Sequence, residues 1–241
     1  MAENKKHIVV LSGAGISAES GLKTFRDGDG LWMGYNVEDV ATPRAFAKDP
    51  QLVLNFYNER RRDVAAAQPN AAHKGLADLE KDFKVTIVTQ NIDDLHERGG
   101  STNVLHLHGE IFKMRSVANM SRIFDIRGDI NVGDLAPDGF QLRPHIVWFE
   151  ESVPMMEPAA MLLRDCDFLV VIGTSLQVYP AASLLHYAPF LLPKFIIDKK
   201  IPVINSYPNL NIIEMPATEG VQELKKILQH ADEISIELQN S

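Results

Sequence analysis

The run Ile8-Val9-Val10-Leu11, followed by Ser12 and then Gly13-Ala14-Gly15, constrains this chain more than any other stretch. A continuous apolar, β-branched segment with no polar alternation reads as a strand buried on both faces, the condition of a parallel sheet covered by helices. Similar runs occur at residues 85–88, 104–107, 168–172 and 202–204. Helical patterns lie between them, over residues 37–47, 51–67, 70–81, 158–164, 180–187 and 218–229. Pro50 suits a first helical turn and Asn70 suits an N-cap. Strands alternating with helices predict an α/β fold, a Rossmann-like doubly wound parallel sheet. Residues 113–143 break the rhythm with Gly, Asp and Asn. They read as a small inserted lobe between two parts of one large domain, residues 1–112 and 144–230, with a polar tail at 231–241.

Composition narrows the function. Apolar residues make up 45% of the chain, enough for a sizeable core. A net charge of −8 argues against nucleic acid as a partner. No window approaches the roughly 18 apolar residues of a membrane span, so a cytoplasmic protein with no membrane partner is expected. Cys166 is the single cysteine, which permits neither an internal disulfide nor a cysteine zinc site. The sequence leaves the oligomeric state unknown.

In doubly wound sheets, ligands bind outside the carboxyl ends of the strands. Those ends hold Ser12-Gly13-Ala14-Gly15, Thr89-Gln90-Asn91, His108-Gly109, Gly173-Thr174-Ser175 and Asn205-Ser206, all small or polar. Gly13 to Ala18 has the Gly-x-Gly-x-x-Ala pattern that lets backbone approach a pyrophosphate, although a plain strand-to-helix turn has the same look. A dehydrogenase would place an acid about 20 residues further on; Gly30-Leu31-Trp32-Met33 stands there instead. Gln90, Asn91 and Asp93 can pair with a carboxamide or cap a helix. His106 and His108 share one face of a strand. They are metal ligands, structural histidines, or a general base near neutral pH; Gly109 leaves open space beside His108 and favours it for the last role.

Taken in order, GAGISAESGLKTFRDGDGLW (residues 13–32), TQNIDDLHERGG, LHLHGE, RPHIVWFEE and IGTSLQVYPAASL closely resemble the motifs of sirtuins, over residues 7 to 228 or so. The resemblance implies an NAD-dependent lysine deacylase acting on acylated proteins or peptides, with NAD as co-substrate. It implies that Gly13, Ala14, Gly15 and Ser17 wrap the phosphates and that Phe25 and Arg26 belong to a mobile cofactor loop, Phe25 shielding the reactive ribose carbon. Gln90 would touch the nicotinamide ribose, while Asn91 and Asp93 line the nicotinamide pocket. Gly173, Thr174, Ser175, Asn205 and Ala217 would meet the adenosine side. Ala18, Glu19, Thr24, Asp27, Trp32 and Ile92 complete the implied cofactor contacts. His108 matches the base, with Asn91 beside it as a second catalytic residue. Val147-Trp148-Phe149 would pair its backbone with an extended peptide. The acyl oxygen would attack the ribose carbon as nicotinamide leaves, and His108 would take a ribose hydroxyl proton. Free lysine and O-acyl-ADP-ribose are the implied products.

Tyr57 and Arg60 share a helix face at i, i+3. By pattern alone they also suit an ordinary charged surface. Sirtuins that remove succinyl and malonyl groups carry a Tyr-x-x-Arg pair here, which implies desuccinylase and demalonylase activity with deacetylation retained. An NAD-dependent protein ADP-ribosyltransferase would use the same pocket. The chain also departs from the family. Residues 113–142 contain no Cys and no His, so no zinc is expected, and Ile111, Phe112, Met114, Ile123, Phe124, Ile126, Ile130, Val132 and Leu135 are expected to hold the lobe by packing. Glu150 stands where the family usually has Gly. Asn205-Ser206-Tyr207 lacks the usual acid after the Asn.

Overall fold

The structure, a computed structural model, describes residues 5–24, 31–32, 34–201 and 207–239. Strand β1 (His7–Ser12) is buried at all six positions. It turns through the glycines into a single turn of helix, α1 (Gly15–Ala18). A hairpin of β2 (Leu31–Trp32) and β3 (Tyr35–Asn36) leads to α2 (Val37–Val40), α3 (Pro43–Lys48) and α4 (Pro50–Ala66). The helix expected over 37–47 is thus two. Pro43 cannot continue a helix, because it lacks an N–H and its ring clashes with the preceding turn. Thr42 caps the new start, its hydroxyl accepting from the Ala45 N–H at 3.0 Å. Asp49 caps α4 in the same way, accepting from Leu52 N–H at 2.9 Å. Asn70 caps α5 (Ala71–Asp78), in a capping box completed by His73.

Strand β4 (Lys84–Thr89), helix α6 (Leu95–Arg98) and strand β5 (Val104–His106) follow. Next come β6 (Gly109–Ser116), β7 (Ile123–Asp125) and β8 (Leu142–Ile146), a three-stranded antiparallel sheet in the order β7-β6-β8. The chain then returns through α7 (Met156–Arg164), β9 (Phe168–Ile172), a 3₁₀ stretch at Ala181–Tyr187, β10 (Lys194–Ile197), β11 (Leu210–Ile213) and α8 (Ala217–Gln239). The last helix runs well past residue 229.

Six parallel strands form the main sheet in the order β11-β10-β9-β1-β4-β5. From β1 the chain moves outward to β4 and β5, then crosses to β9 and continues the other way. The order therefore reverses at β1, which pairs with β4 on one side and β9 on the other. Alternate side chains explain the unbroken apolar runs. Ile8, Val10, Ile87, Val170 and Ile172 pack beneath Leu76 of α5 and Val221 and Leu224 of α8. Val9, Leu11, Val88 and Val171 pack against Leu163 of α7 and Leu184. The strand expected at residues 202–204 lies outside the described residues. Two further strands, β10 and β11, were hidden by a lysine and by their shortness. Lys194 is buried, its ammonium donating to the carbonyls of Pro189 (3.0 Å), Phe190 (2.9 Å) and Leu192 (2.9 Å). All three of its donors are thereby satisfied.

The inserted lobe packs through fewer residues than expected. Ile111 and Phe112 join a core with Phe56, Tyr57 and Trp148. Ile130, Ala136 and Leu142 close on Leu54 of α4, with Met114, Phe124 and Ile126 against them. Ile123, Val132 and Leu135 instead stay exposed at 44%, 50% and 58%. Ile123 opens an edge strand, and the other two lie in irregular chain that turns outward. Among the described residues no helix is long and apolar enough to cross a membrane, and no group of three or more His, Cys, Asp or Glu side chains converges as a metal site would require.

Candidate active site

A cleft of about 960 Å³ opens where the ends of β1, β4 and β9 meet, at the reversal of strand order. Its floor begins at the β1–α1 turn. Gly13 N–H donates to Ile172 O at 3.0 Å and Gly15 N–H to Gly173 O at 2.8 Å, locking this turn to the end of β9. The contact is closer than any side chain allows. Gly173 has φ +62°, and a Cβ there would lie 2.3 Å from Ile16 N.

The segment after β4 lies against this turn. Gln90 Nε2 donates to Thr174 Oγ1 at 3.1 Å. Asn91 Nδ2 donates to Gly13 O and to Ser17 Oγ, both at 3.2 Å. Ser17 Oγ donates in turn to Asp93 Oδ2 at 3.1 Å. Asp93 is 3% exposed. Burial pushes its carboxyl up from the usual range, while the Leu95 N–H, the Ser17 hydroxyl and the charge of Arg60 oppose the shift.

His108 follows β5 and lines the cleft. Its Nδ1 is 3.0 Å from Gln90 O. A carbonyl only accepts, so Nδ1 carries the hydrogen and the neutral ring keeps Nε2 as a base. Burial lowers the His108 pKa below its ordinary value, and the Gln90 carbonyl partly offsets this. Gly109 makes the placement possible. Its φ is +82°, and a Cβ would lie 2.0 Å from the His145 carbonyl oxygen on β8. A Gly109→Ala variant is expected to lose about 3 kcal/mol or more, from backbone strain and overpacking together, read as a lower denaturation midpoint in urea.

The opposite wall comes from α4 and the chain after β8. Tyr57 is fully buried and Arg60 is 6% exposed. Both line the cleft, yet Tyr57 Oη and Arg60 Nε and Nη1 have no hydrogen-bond partner. Burial raises the Tyr57 pKa, keeping the phenol protonated; the Trp148 indole N–H acts on the same hydroxyl from outside hydrogen-bonding geometry. Burial also lowers the Arg60 pKa, against the attraction of Asp93 and Asp63. Trp148 is held from behind. The Arg143 guanidinium stacks 3.2 Å from its ring centroid and donates to both Glu151 oxygens, at 2.6 and 3.1 Å. Glu151 also accepts the Trp148 N–H at 2.8 Å. Glu150 has φ 73°, the region glycine prefers, which explains why Gly is usual there. Arg44 Nε grips its carboxylate at 2.9 and 3.2 Å.

Phe25, Arg26, Asp27 and Asn205 lie outside the described residues. Every other site residue expected from the sequence lines this one cleft. The peptide segment differs in one respect from expectation. Val147 N–H already donates to His108 O at 2.9 Å, and Phe149 N–H to Ala41 O at 3.0 Å. Trp148 N–H is on Glu151 and Trp148 O accepts from Glu151 N–H at 3.1 Å, so this segment has no main-chain N–H to offer a peptide. The sequence reading missed Lys23, Glu151, Asp198 and Lys199, which also line the cleft. Asp198-Lys199 directly follows β10, the strand that Lys194 disguised.

The Sir2 family pattern matches residues 13–180. The chain belongs to the Sir2 family. An NAD-dependent protein deacylase of Helicobacter pylori is 51% identical over 219 residues, 91% of this chain and 96% of the relative. A solved Sir2 homologue in complex with NAD superposes with a TM-score of 0.81 at 37% identity, covering 94% of this chain and 91% of the homologue. A Sir2–p53 peptide–NAD⁺ complex superposes with a TM-score of 0.76 at 28% identity, covering 92% and 93%. This sirtuin is an NAD-dependent enzyme with the Rossmann-like fold of those structures.

Proposed function

We propose that this sirtuin deacylates protein lysines with NAD and is selective for acidic acyl groups, succinyl and malonyl, with acetyl groups as lesser substrates. Deacylation is the activity in the names of its relatives. The acidic preference rests on one observation, that buried Tyr57 Oη and Arg60 Nε and Nη1 have no protein partner. Buried donors are nearly always satisfied. A guanidinium and a phenol facing a cleft supply the donors that a carboxylate at the end of an acyl chain would accept.

The residues present suit NAD. Main chain at Gly13 to Ser17 approaches closely enough for a pyrophosphate, and the Asn91 amide oxygen and the Asp93 carboxylate offer acceptors to a carboxamide NH2. Bound NAD supplies an activated ribose carbon with nicotinamide as its leaving group. Trp148 and Tyr57 exclude water around the acyl chain, and the Val147 carbonyl accepts from a peptide N–H group. His108 Nε2 takes a proton from a ribose hydroxyl. This role needs the neutral imidazole. Because burial lowers the His108 pKa, turnover should hold to below about pH 6.5, the ordinary histidine value, and fall only as the ring protonates. A rate with no acid-side fall at any pH where the protein stays folded would contradict the role.

The test is incubation with NAD and matched succinyl-, malonyl- and acetyl-lysine peptides, followed by mass spectrometry. Free lysine, nicotinamide and O-acyl-ADP-ribose, formed fastest from the acidic peptides, support the reading. A mass gain of ADP-ribose on the acceptor would replace it with ADP-ribosyl transfer.

A further inference from the structure

Two histidines, His106 at the end of β5 and His108 just after it, bond to consecutive carbonyls. His108 Nδ1 bonds Gln90 O, and His106 Nδ1 bonds Asn91 O, each at 3.0 Å. Their second nitrogens differ. His108 Nε2 is the base of the proposed reaction, whereas His106 Nε2 lies 2.7 Å from Glu97 Oε1 of α6. Both partners of His106 are acceptors. Its ring therefore donates from both nitrogens, which only an imidazolium paired with a carboxylate can do. The side chain is 8% exposed.

We propose that the Glu97–His106 ion pair is a positioning element for this reaction, holding the Asn91 carbonyl and with it the Gln90 to Asp93 segment. This inference rests on the cleft reading above. Asn91 is where the segment is fixed. Its N–H donates to Thr89 Oγ1 at 3.0 Å and its side chain to Gly13 O and Ser17 Oγ, so a shift of its peptide plane moves the groups facing the carboxamide. Several charges act on His106. Glu97 and Glu110 favour the imidazolium, while burial opposes it, and the balance raises its pKa. Asp93 feels the same positive charge, and His96 is kept neutral by burial, with the charges of His73 and His106 adding to that. Lys113, which bonds Glu110 at 2.7 Å, also lowers the Glu97 pKa alongside His106.

A neutral His106 can donate from one nitrogen only. The charge-assisted bond to Glu97 is about twice as strong as the neutral one to Asn91 O. The remaining proton stays on Nε2, and the Asn91 carbonyl then faces a bare lone pair. Because the folded pKa is raised, the brace is complete below that value and is lost as pH rises through it. It sets an alkaline limit on turnover, separate from the acid limit set by His108.

The test is the pH profile of kcat for the wild type and for Glu97→Gln with a saturating acyl-lysine peptide and NAD. A glutamine amide can donate to Nε2 of a neutral ring, which leaves Nδ1–H on Asn91 O at every pH. The wild type is expected to lose activity about tenfold per pH unit above its alkaline midpoint. Glu97→Gln is expected to lack that limb while its acid limb is unchanged. Identical alkaline limbs in the two proteins would overturn the proposal. Loss of the acid limb in both would count against His108 instead, so the two readings fail separately. Imidazole NMR of the wild type gives a second readout that needs no folded variant: His106 should titrate at the alkaline midpoint, and titration elsewhere would overturn the proposal.

Discussion

His108→Tyr is expected to bind NAD and to lose deacylation, with kcat falling by roughly 10²–10⁴-fold. A phenol fills the imidazole's space, yet it stays protonated near neutral pH because its ordinary pKa is about 10. The Gln90 carbonyl fixes the wild-type ring with Nδ1–H inward, so the basic nitrogen is the only one left to act. The dinucleotide contacts proposed for Gly13 to Ser17 and Gly173 to Ser175 belong to other elements and stay intact. Calorimetric titration with NAD, beside single-turnover release of nicotinamide, separates the two effects. A variant that still deacylates within a few-fold of the wild type would remove His108 from the mechanism.

Arg60→Met should have opposite effects on activity and stability. Desuccinylation is expected to fall by roughly 100-fold in kcat/KM, about 2.7 kcal/mol, the range of hydrogen bonds to a charged group. Deacetylation should hold or rise, since an acetyl group has no carboxylate to lose. The same change should raise the melting temperature. Arg60 is 6% exposed, and two of its nitrogens have no partner. Replacing a buried, poorly compensated charge with an apolar side chain of similar volume stabilises proteins by about 1–4 kcal/mol. Asp93 and Asp63 attract Arg60 from a distance and reduce that gain. A variant that is less stable and still desuccinylates would show that the guanidinium serves packing alone.

The central sheet was legible because β1, β4 and β9 are buried along nearly their whole length, so their polar residues fall at the strand ends, Thr86 of β4 apart, and leave apolar, β-branched runs between. Legibility failed where a polar residue is satisfied locally. Lys194 points its ammonium into three carbonyls, and nothing in a hydropathy pattern separates it from a solvated lysine. The helix over 37–47 was misread because the periodicity runs on through Pro43, whereas the backbone cannot. The cleft-lining segments Gly13–Gly15, Gln90–Asn91, His108 and Gly173–Ser175 were legible as small or polar residues at strand ends, where sheet geometry makes distant segments converge, whereas Tyr57, Arg60 and Trp148 came only with the family resemblance. Glu151 escaped because its work is done behind Trp148, and a carboxylate that buttresses looks, in sequence, like one that faces water.

The three N–H groups of Val147, Trp148 and Phe149 are all spent inside the protein. On the proposed reading, the main chain here meets an incoming polypeptide with the Val147 oxygen and with no N–H. A carbonyl oxygen recognises an amide hydrogen, which every residue except proline provides, and it is indifferent to the side chain beside it. Discrimination then falls to the far end of the modified lysine, at Tyr57 and Arg60. An enzyme built this way reads the chemical tag and not its address, and it would clear that tag from many unrelated proteins wherever the surrounding chain can extend.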